Sequence, residues 1–174
     1  SDFYIGGMEY PTLVMIDETL YNKENKFLLE YVIAHETAHQ WWYSVIGNDE
    51  VNEPWLDEAL TEYSTILYFE NKYGKETGDK LIKTMDVQTK NFKTTDIFKA
   101  TTEYKDSADY SLSVYTKGAV IFNEIRNQVG DDLFFETLKE YYNKYKFENV
   151  NGPQFIELWK SKGIDIEKII KEYK

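Results

Sequence analysis

"VIAHETAHQWWYSVIG", Val32 to Gly47, decides how the chain is read. With Leu28 just upstream, Val32, His35, His39, Trp42 and Ile46 step by four and three, so they share one face of a helix. That helix is expected to open near Asn25 and to stop at Gly47, a residue type that commonly ends helices. The chain has only two histidines, and both lie on this face, one turn apart, with Glu36 directly after the first. Random placement would give that pattern in roughly one chain in a thousand.

Imidazoles four residues apart on a helix can reach one ion, while Glu36, about 100° round the helix, flanks that ion and can polarise a water on it. This is the HExxH arrangement. A catalytic zinc needs three protein ligands and an open position. With no cysteine and no further histidine, the third must be a carboxylate. Trp42 and Val45 stand where the metzincin extension needs glycine and histidine, so that variant is excluded.

Glu58, in "NEPWLDEAL", is the expected third ligand. A second helix is signalled from Pro54, in its first turn, to Gly74, and the short connection from Gly47 favours an antiparallel return that brings Glu58 beside the histidines. Glu53 precedes this helix and reads as a cap or dipole partner. Glu62, one turn beyond Glu58, could receive an N–H from a ligating histidine.

The remaining chain reads as mostly helical. "FYIGGMEYPTLVMID", Phe3 to Asp17, carries the one strand or hairpin edge. Further helices are expected over about Thr77–Phe92, Ser113–Val129 and Asp132–Tyr145. A sixth lies within "NGPQFIELWKSKG" and a short seventh within "IDIEKIIKEYK". The polar stretch Lys93–Tyr110 has no clear period and is the expected long functional loop. No repeat, low-complexity block or Pro/Gly-rich linker divides the 174 residues, so residues 1–174 are taken as a single, mainly α domain.

Bulk properties narrow the partners. An apolar content of 42% and an aromatic content of 17% can fill a full-sized core. A net charge of −11 repels phosphate backbones, which argues against nucleic acid. No run of eighteen apolar residues is present, so no membrane contact is expected. The absence of cysteine leaves the compartment open.

Three motifs in order give the sequence a family resemblance. "GGMEY" at Gly6–Tyr10 resembles a Gly-x-Met-Glu-Asn exopeptidase motif, "HETAH" followed by Glu58 matches an HExxH-x18-E signature, and "YTKG" at Tyr115–Gly118 resembles a Tyr-x-Lys-Gly segment. These are the marks of the gluzincin zinc aminopeptidases typified by membrane alanyl aminopeptidase and leukotriene hydrolase, and the similarity spans essentially the whole chain. Tyr10 stands where that family usually has asparagine, and Asp57 and Ala59 where it often has asparagine and glycine.

The resemblance implies the helical part of a thermolysin-like catalytic domain cut from a longer multidomain aminopeptidase, with its N- and C-terminal domains missing. It implies one zinc ion held by His35, His39 and Glu58, with Glu36 as catalytic base. Tyr115 would donate to the tetrahedral oxyanion. The backbone of Gly6, Gly7 and Met8 would line the cleft, and Glu9 would hold the free α-amine of a peptide. Two alternatives stay open: an endopeptidase with the same centre, in which the Glu9 segment is only structural, and a helical binding module with no catalysis.

Overall fold

The computed structural model describes residues 6–92 and 96–172. It opens on a small antiparallel hairpin of β1 (Gly7–Met8) and β2 (Met15–Ile16), with Gly7 opposite Ile16 and Met8 opposite Met15. Helices follow: α1 (Lys26–Ala38), α2 (Trp55–Tyr73), α3 (Lys75–Asn91), α4 (Ser107–Tyr110), α5 (Lys117–Val129), α6 (Asp131–Tyr145), α7 (Gly152–Ser161) and α8 (Ile166–Glu172). The mainly α expectation holds, and the N-terminal strand signal resolves as the hairpin. Lys93–Thr95 of the expected loop, Phe3–Ile5 and the last two residues lie outside the described residues.

Helix α2 is the axis. Leu60, Tyr63, Ile66 and Phe69 point into the core, while Asp57, Thr61, Glu62 and Thr65 are buried on its other sides, so neighbours surround it. It packs against α1, α3 and α5. The closest approach is to α5: a Cβ built on Gly118 would lie 2.4 Å from the Ala59 Cβ, so only glycine lets the two backbones meet there. Helices α6 and α7 close the far side through a web of rings. Phe155 lies 4.9 Å from Tyr141, 5.7 Å from Trp55 and 6.1 Å from Phe122, and Phe134 lies 5.8 Å from Trp159.

The first helix ends at Ala38, well short of the expected Gly47. His39 caps it, and residues 39–46 form a string of wide turns in which Ser44 N bonds His39 O at 3.0 Å and Ile46 N bonds Trp41 O at 3.1 Å. Competing side-chain bonds explain the early stop. The Trp42 carbonyl meets the His39 ring at 3.3 Å, and the Gln40 side chain reaches back to the hairpin, accepting from Thr12 N at 2.9 Å.

The C-terminal half ties this segment down. Gly47 forms a parallel bridge with Asn149; its N–H bonds Glu148 O at 2.9 Å and its carbonyl accepts from Val150 N at 2.7 Å. Glu53, read from sequence as a cap for its own helix, instead accepts from Gly152 N at 2.9 Å and so caps α7 across the fold. The Asn151–Gln154 capping box completes that helix start.

The expected fourth helix begins earlier and is not uniform. Helix α4 passes into a π-helical segment, Ser111–Thr116, before α5 resumes the α pitch. Part of the expected loop is thus helical, and Thr101, Ser107 and Tyr110 from it line the cavity described next. No helix among the described residues is long and apolar enough to cross a membrane.

Candidate functional site

Where α1 ends and α2 begins, three donor atoms meet. His35 Nε2 and His39 Nε2 are 3.2 Å apart, and Glu58 Oε2 lies 3.3 Å from the first and 3.2 Å from the second. Zinc bonds of roughly 2.0–2.1 Å near the tetrahedral angle separate their donors by about 3.3 Å, so the triangle has the size one such ion requires.

The outer nitrogens are held as well. His35 Nδ1 faces Glu62 Oε2 at 2.9 Å, the arrangement anticipated for Glu62, and Tyr31 donates to the other Glu62 oxygen. His39 Nδ1 lies 3.3 Å from the Trp42 carbonyl and 3.2 Å from Thr61 Oγ1. An Nδ1–H on each ring leaves both Nε2 lone pairs directed at the Glu58 carboxylate oxygen. Three acceptors converging in this way call for a positive charge between them.

The electrostatics agree. Burial would lower His35, but its hydrogen bonds to Glu58 and Glu62 outweigh that and raise it to about 10. Burial likewise would raise Glu58, but hydrogen bonds to His35 and His39 bring it to about 2. The ring and the carboxylate therefore both favour a cation, whether proton or metal ion.

Glu36 stands beside this centre. Burial pushes it up to about 7 against the opposing influence of His35 and His39. Its Oε2 is buried and has no hydrogen-bond partner among the described residues. On the other side is the hairpin: a Cβ on Gly7 would lie 2.0 Å from Glu36 Oε1. One donor atom each from Glu9, Glu36 and His39 also lies within 4.8 Å of the others, so the Glu9 carboxylate reaches the same centre.

A cavity of about 790 Å³ gathers these groups. Its wall includes His35, Glu36, His39, Glu58 and Tyr115, together with Gly6, Gly7, Met8 and Glu9, so the expected metal ligands, base, oxyanion donor and substrate-binding residues all open onto it. Tyr115 stacks on His35, with ring centroids 5.7 Å apart, and its hydroxyl donates to Glu58 Oε1 at 2.6 Å. The phenol proton thus points at the carboxylate. Among the described residues, six carboxylates line the cavity, from Glu9, Glu36, Glu50, Asp57, Glu58 and Glu62, and no lysine or arginine does. A second groove of about 840 Å³ behind α1, lined by residues such as Leu29, Ile33 and Trp41, gathers no comparable set of acid, base and metal-ligating groups.

Sequence reasoning passed over Tyr31, Glu50, Thr61 and Tyr110. Tyr31 is one turn before His35 and Thr61 one turn after Glu58, so helical spacing alone could have placed both. Glu50 sits in a turn segment, and Tyr110 lies five residues before Tyr115, a spacing that an α-helix would put on opposite faces.

The chain is similar to aminopeptidase B of Rattus norvegicus, 30% identical over 183 residues, covering 94% of this chain and 27% of that protein. It is 28% identical over 181 residues to leucine aminopeptidase 2-1 of Scheffersomyces stipitis, covering 90% of this chain and 28% of the relative. The chain thus spans about a quarter of the length of these relatives. Among solved structures, a mutant M1 zinc metallopeptidase from Deinococcus radiodurans bound to a Tyr-Ser-Ala substrate shares the fold, with TM-score 0.81, 19% identity, and coverage of 99% of this chain and 37% of that one. A yeast LTA4 hydrolase in complex with bestatin shares it at TM-score 0.76, 22% identity, and coverage of 95% and 28%. The model of the peptidase family M1 domain matches residues 1–173, and the chain belongs to that family.

Proposed function

We propose that residues 1–174 form the catalytic domain of a zinc-dependent aminopeptidase, which removes the N-terminal residue of a peptide. The observation that carries this reading is the buried Glu9 carboxylate, held within 4.8 Å of Glu36 and His39 in a cavity that, among the described residues, no lysine or arginine lines. A carboxylate so placed is the counter-charge for an ammonium, and a peptide's free terminus supplies one.

Zinc held by His35, His39 and Glu58 would supply Lewis-acid chemistry, activating a water and polarising the first peptide carbonyl. Glu36 takes the proton from the attacking water and returns it to the leaving amine, and a carboxyl held near 7 by burial suits both transfers. Tyr115 turns its O–H from Glu58 to the developing oxyanion. Glu9 grips the ammonium and sets the register, so that the first peptide bond meets Glu36. Gly7 keeps β1 against Glu36 and holds that carboxylate in place.

Binding of a three-residue substrate by the Deinococcus relative is consistent with this reading. The test compares free and N-acetylated peptides with the zinc-loaded protein. Cleavage of the free peptide alone supports amine anchoring by Glu9. Equal cleavage of both would indicate an endopeptidase with the same centre, and no cleavage of either, with zinc bound, would leave the helical binding module.

A further inference from the structure

Two carboxylates in the cavity have no compensating group within the protein. Glu36 is 6% exposed, and its Oε2 is enclosed with no hydrogen-bond partner among the described residues. Glu9 is 8% exposed, and among the described residues its carboxylate makes no hydrogen bond or ion pair. A buried carboxylate is stable when hydrogen bonds or a cation compensate it, and here two stand together without either.

Donor atoms of Glu9, Glu36 and His39 lie within 4.8 Å of one another. Ligands bound at about 2.3–2.6 Å around one divalent ion stand up to roughly 5 Å apart, so this set has the size to hold one. It shares only His39 with the set of His35, His39 and Glu58. When zinc occupies that first set, His39 is engaged, and a second ion has the two carboxylates and solvent. Oxygen donors of that kind suit Mn²⁺, Mg²⁺ or Ca²⁺.

The fold brings the pair together in advance. Glu36 is carried by α1, and Glu9 directly follows β1, whose Gly7 lies against the Glu36 carboxylate. Gln40 anchors the hairpin beside the end of α1, accepting from Thr12 N at 2.9 Å and donating to Tyr10 O at 3.4 Å. An ion therefore meets both carboxylates with little rearrangement.

We propose that Glu9 and Glu36 form a second cation site beside the zinc centre, which takes an oxygen-seeking divalent ion in place of the substrate's ammonium and, when filled, arrests hydrolysis. The ion occupies both the carboxylate that grips the amine and the one that accepts the proton of water, so ion and substrate exclude each other. The arrest rests on the aminopeptidase reading, and the site itself does not.

The probe is Mn²⁺, titrated into protein already loaded with one equivalent of zinc and followed by loss of the free-ion electron paramagnetic resonance signal. Mn²⁺ stands lowest in the first-row order of affinities and leaves zinc in place, which metal analysis verifies. One Mn²⁺ should bind per chain with a Kd of roughly 10⁻⁴–10⁻³ M, the range of the weaker calcium sites. Glu9→Gln and Glu36→Gln keep the side-chain shapes and should each weaken it by about tenfold or more, through loss of one of two anionic ligands, with zinc content and thermal midpoint unchanged. On the wild-type protein an uncleavable amino alcohol should release the ion, and its N-acetyl counterpart should not. In hydrolysis of an aminoacyl amide, Mn²⁺ at its Kd should raise KM about twofold and leave kcat unchanged.

No binding at about ten times the upper end of that range would overturn the proposal. Binding that survives in both variants would overturn it too, since that marks adventitious surface sites. So would hydrolysis that continues unchanged once the site is filled. If the zinc-loaded chain hydrolyses nothing, the function reading fails, and the Mn²⁺ titration of the wild type and the two variants still decides the site.

Discussion

Gly7 and Glu36 are in direct apposition: the space a β-carbon on Gly7 would occupy is already filled by the Glu36 carboxylate, 2.0 Å from its Oε1. The hairpin therefore fixes the proposed base from one side while α1 carries it from the other. Gly7→Ala must displace either β1 or the carboxylate. Displacement of a catalytic group by about 1 Å costs on the order of 10²-fold in rate, so kcat should fall by about that factor while zinc stays bound. Steady-state kinetics with parallel metal analysis checks this.

Glu36→Gln keeps the shape of the side chain and removes its ability to take a proton. Zinc content should remain at wild-type level, and kcat should drop by about 10²–10⁴-fold, the usual contribution of a general base. Persistent hydrolysis would show that another group accepts the proton.

Glu58 and Glu62 differ in their distance from the proposed ion, and their amide variants should differ in the same way. Glu58→Gln replaces the one anionic donor by a neutral amide oxygen and should abolish tight zinc binding. Glu62→Gln leaves the donors but loosens His35, whose Nδ1 lies 2.9 Å from Glu62 Oε2, and should weaken zinc by about 10–100-fold. Titration with a chromogenic chelator separates the two, and equal losses would remove the distinction drawn here.

Asp131 offers a test of stability against pH, remote from the cavity. Its carboxylate bonds Arg126 Nε at 2.8 Å and Nη2 at 2.9 Å, and those bonds hold it below the usual carboxylate range. A folded-state pKa below the unfolded one contributes stability above the unfolded value, and this is lost as pH falls through the folded value. Asp131→Asn should therefore be less stable than wild type near pH 7, with the difference closing as the solution is acidified below about pH 4. Urea unfolding at a series of pH values reads this directly, and a gap that stays constant with pH would contradict the assignment.

Much of the architecture was legible because it rests on periodicity and punctuation. Gly74 and Gly130 close α2 and α5, Pro153 opens α7, and the spacing of His35, His39 and Glu58 on two antiparallel helices brings their donor atoms together. What the sequence hid are the departures from the α pitch. The apolar spacing of the sequence runs on past His39 to Ile46, so the end at Ala38 leaves no trace in it. The π segment similarly hides the pairing of Tyr110 with Tyr115. Glu53 was misread because its partner, Gly152, lies 99 residues away, and no local rule reaches that far.

The clasp that joins Gly47 and Glu53 to Val150 and Gly152 gives the molecule a long lever. An ion seated between His39 and Glu58 would stiffen both ends of the segment from which that clasp is made. Coupling between the centre and the anchoring of α7 has a measurable sign: loading the centre with zinc should slow hydrogen exchange at the amides of Val150 and Gly152, and Glu53→Ala should weaken zinc by the same free energy.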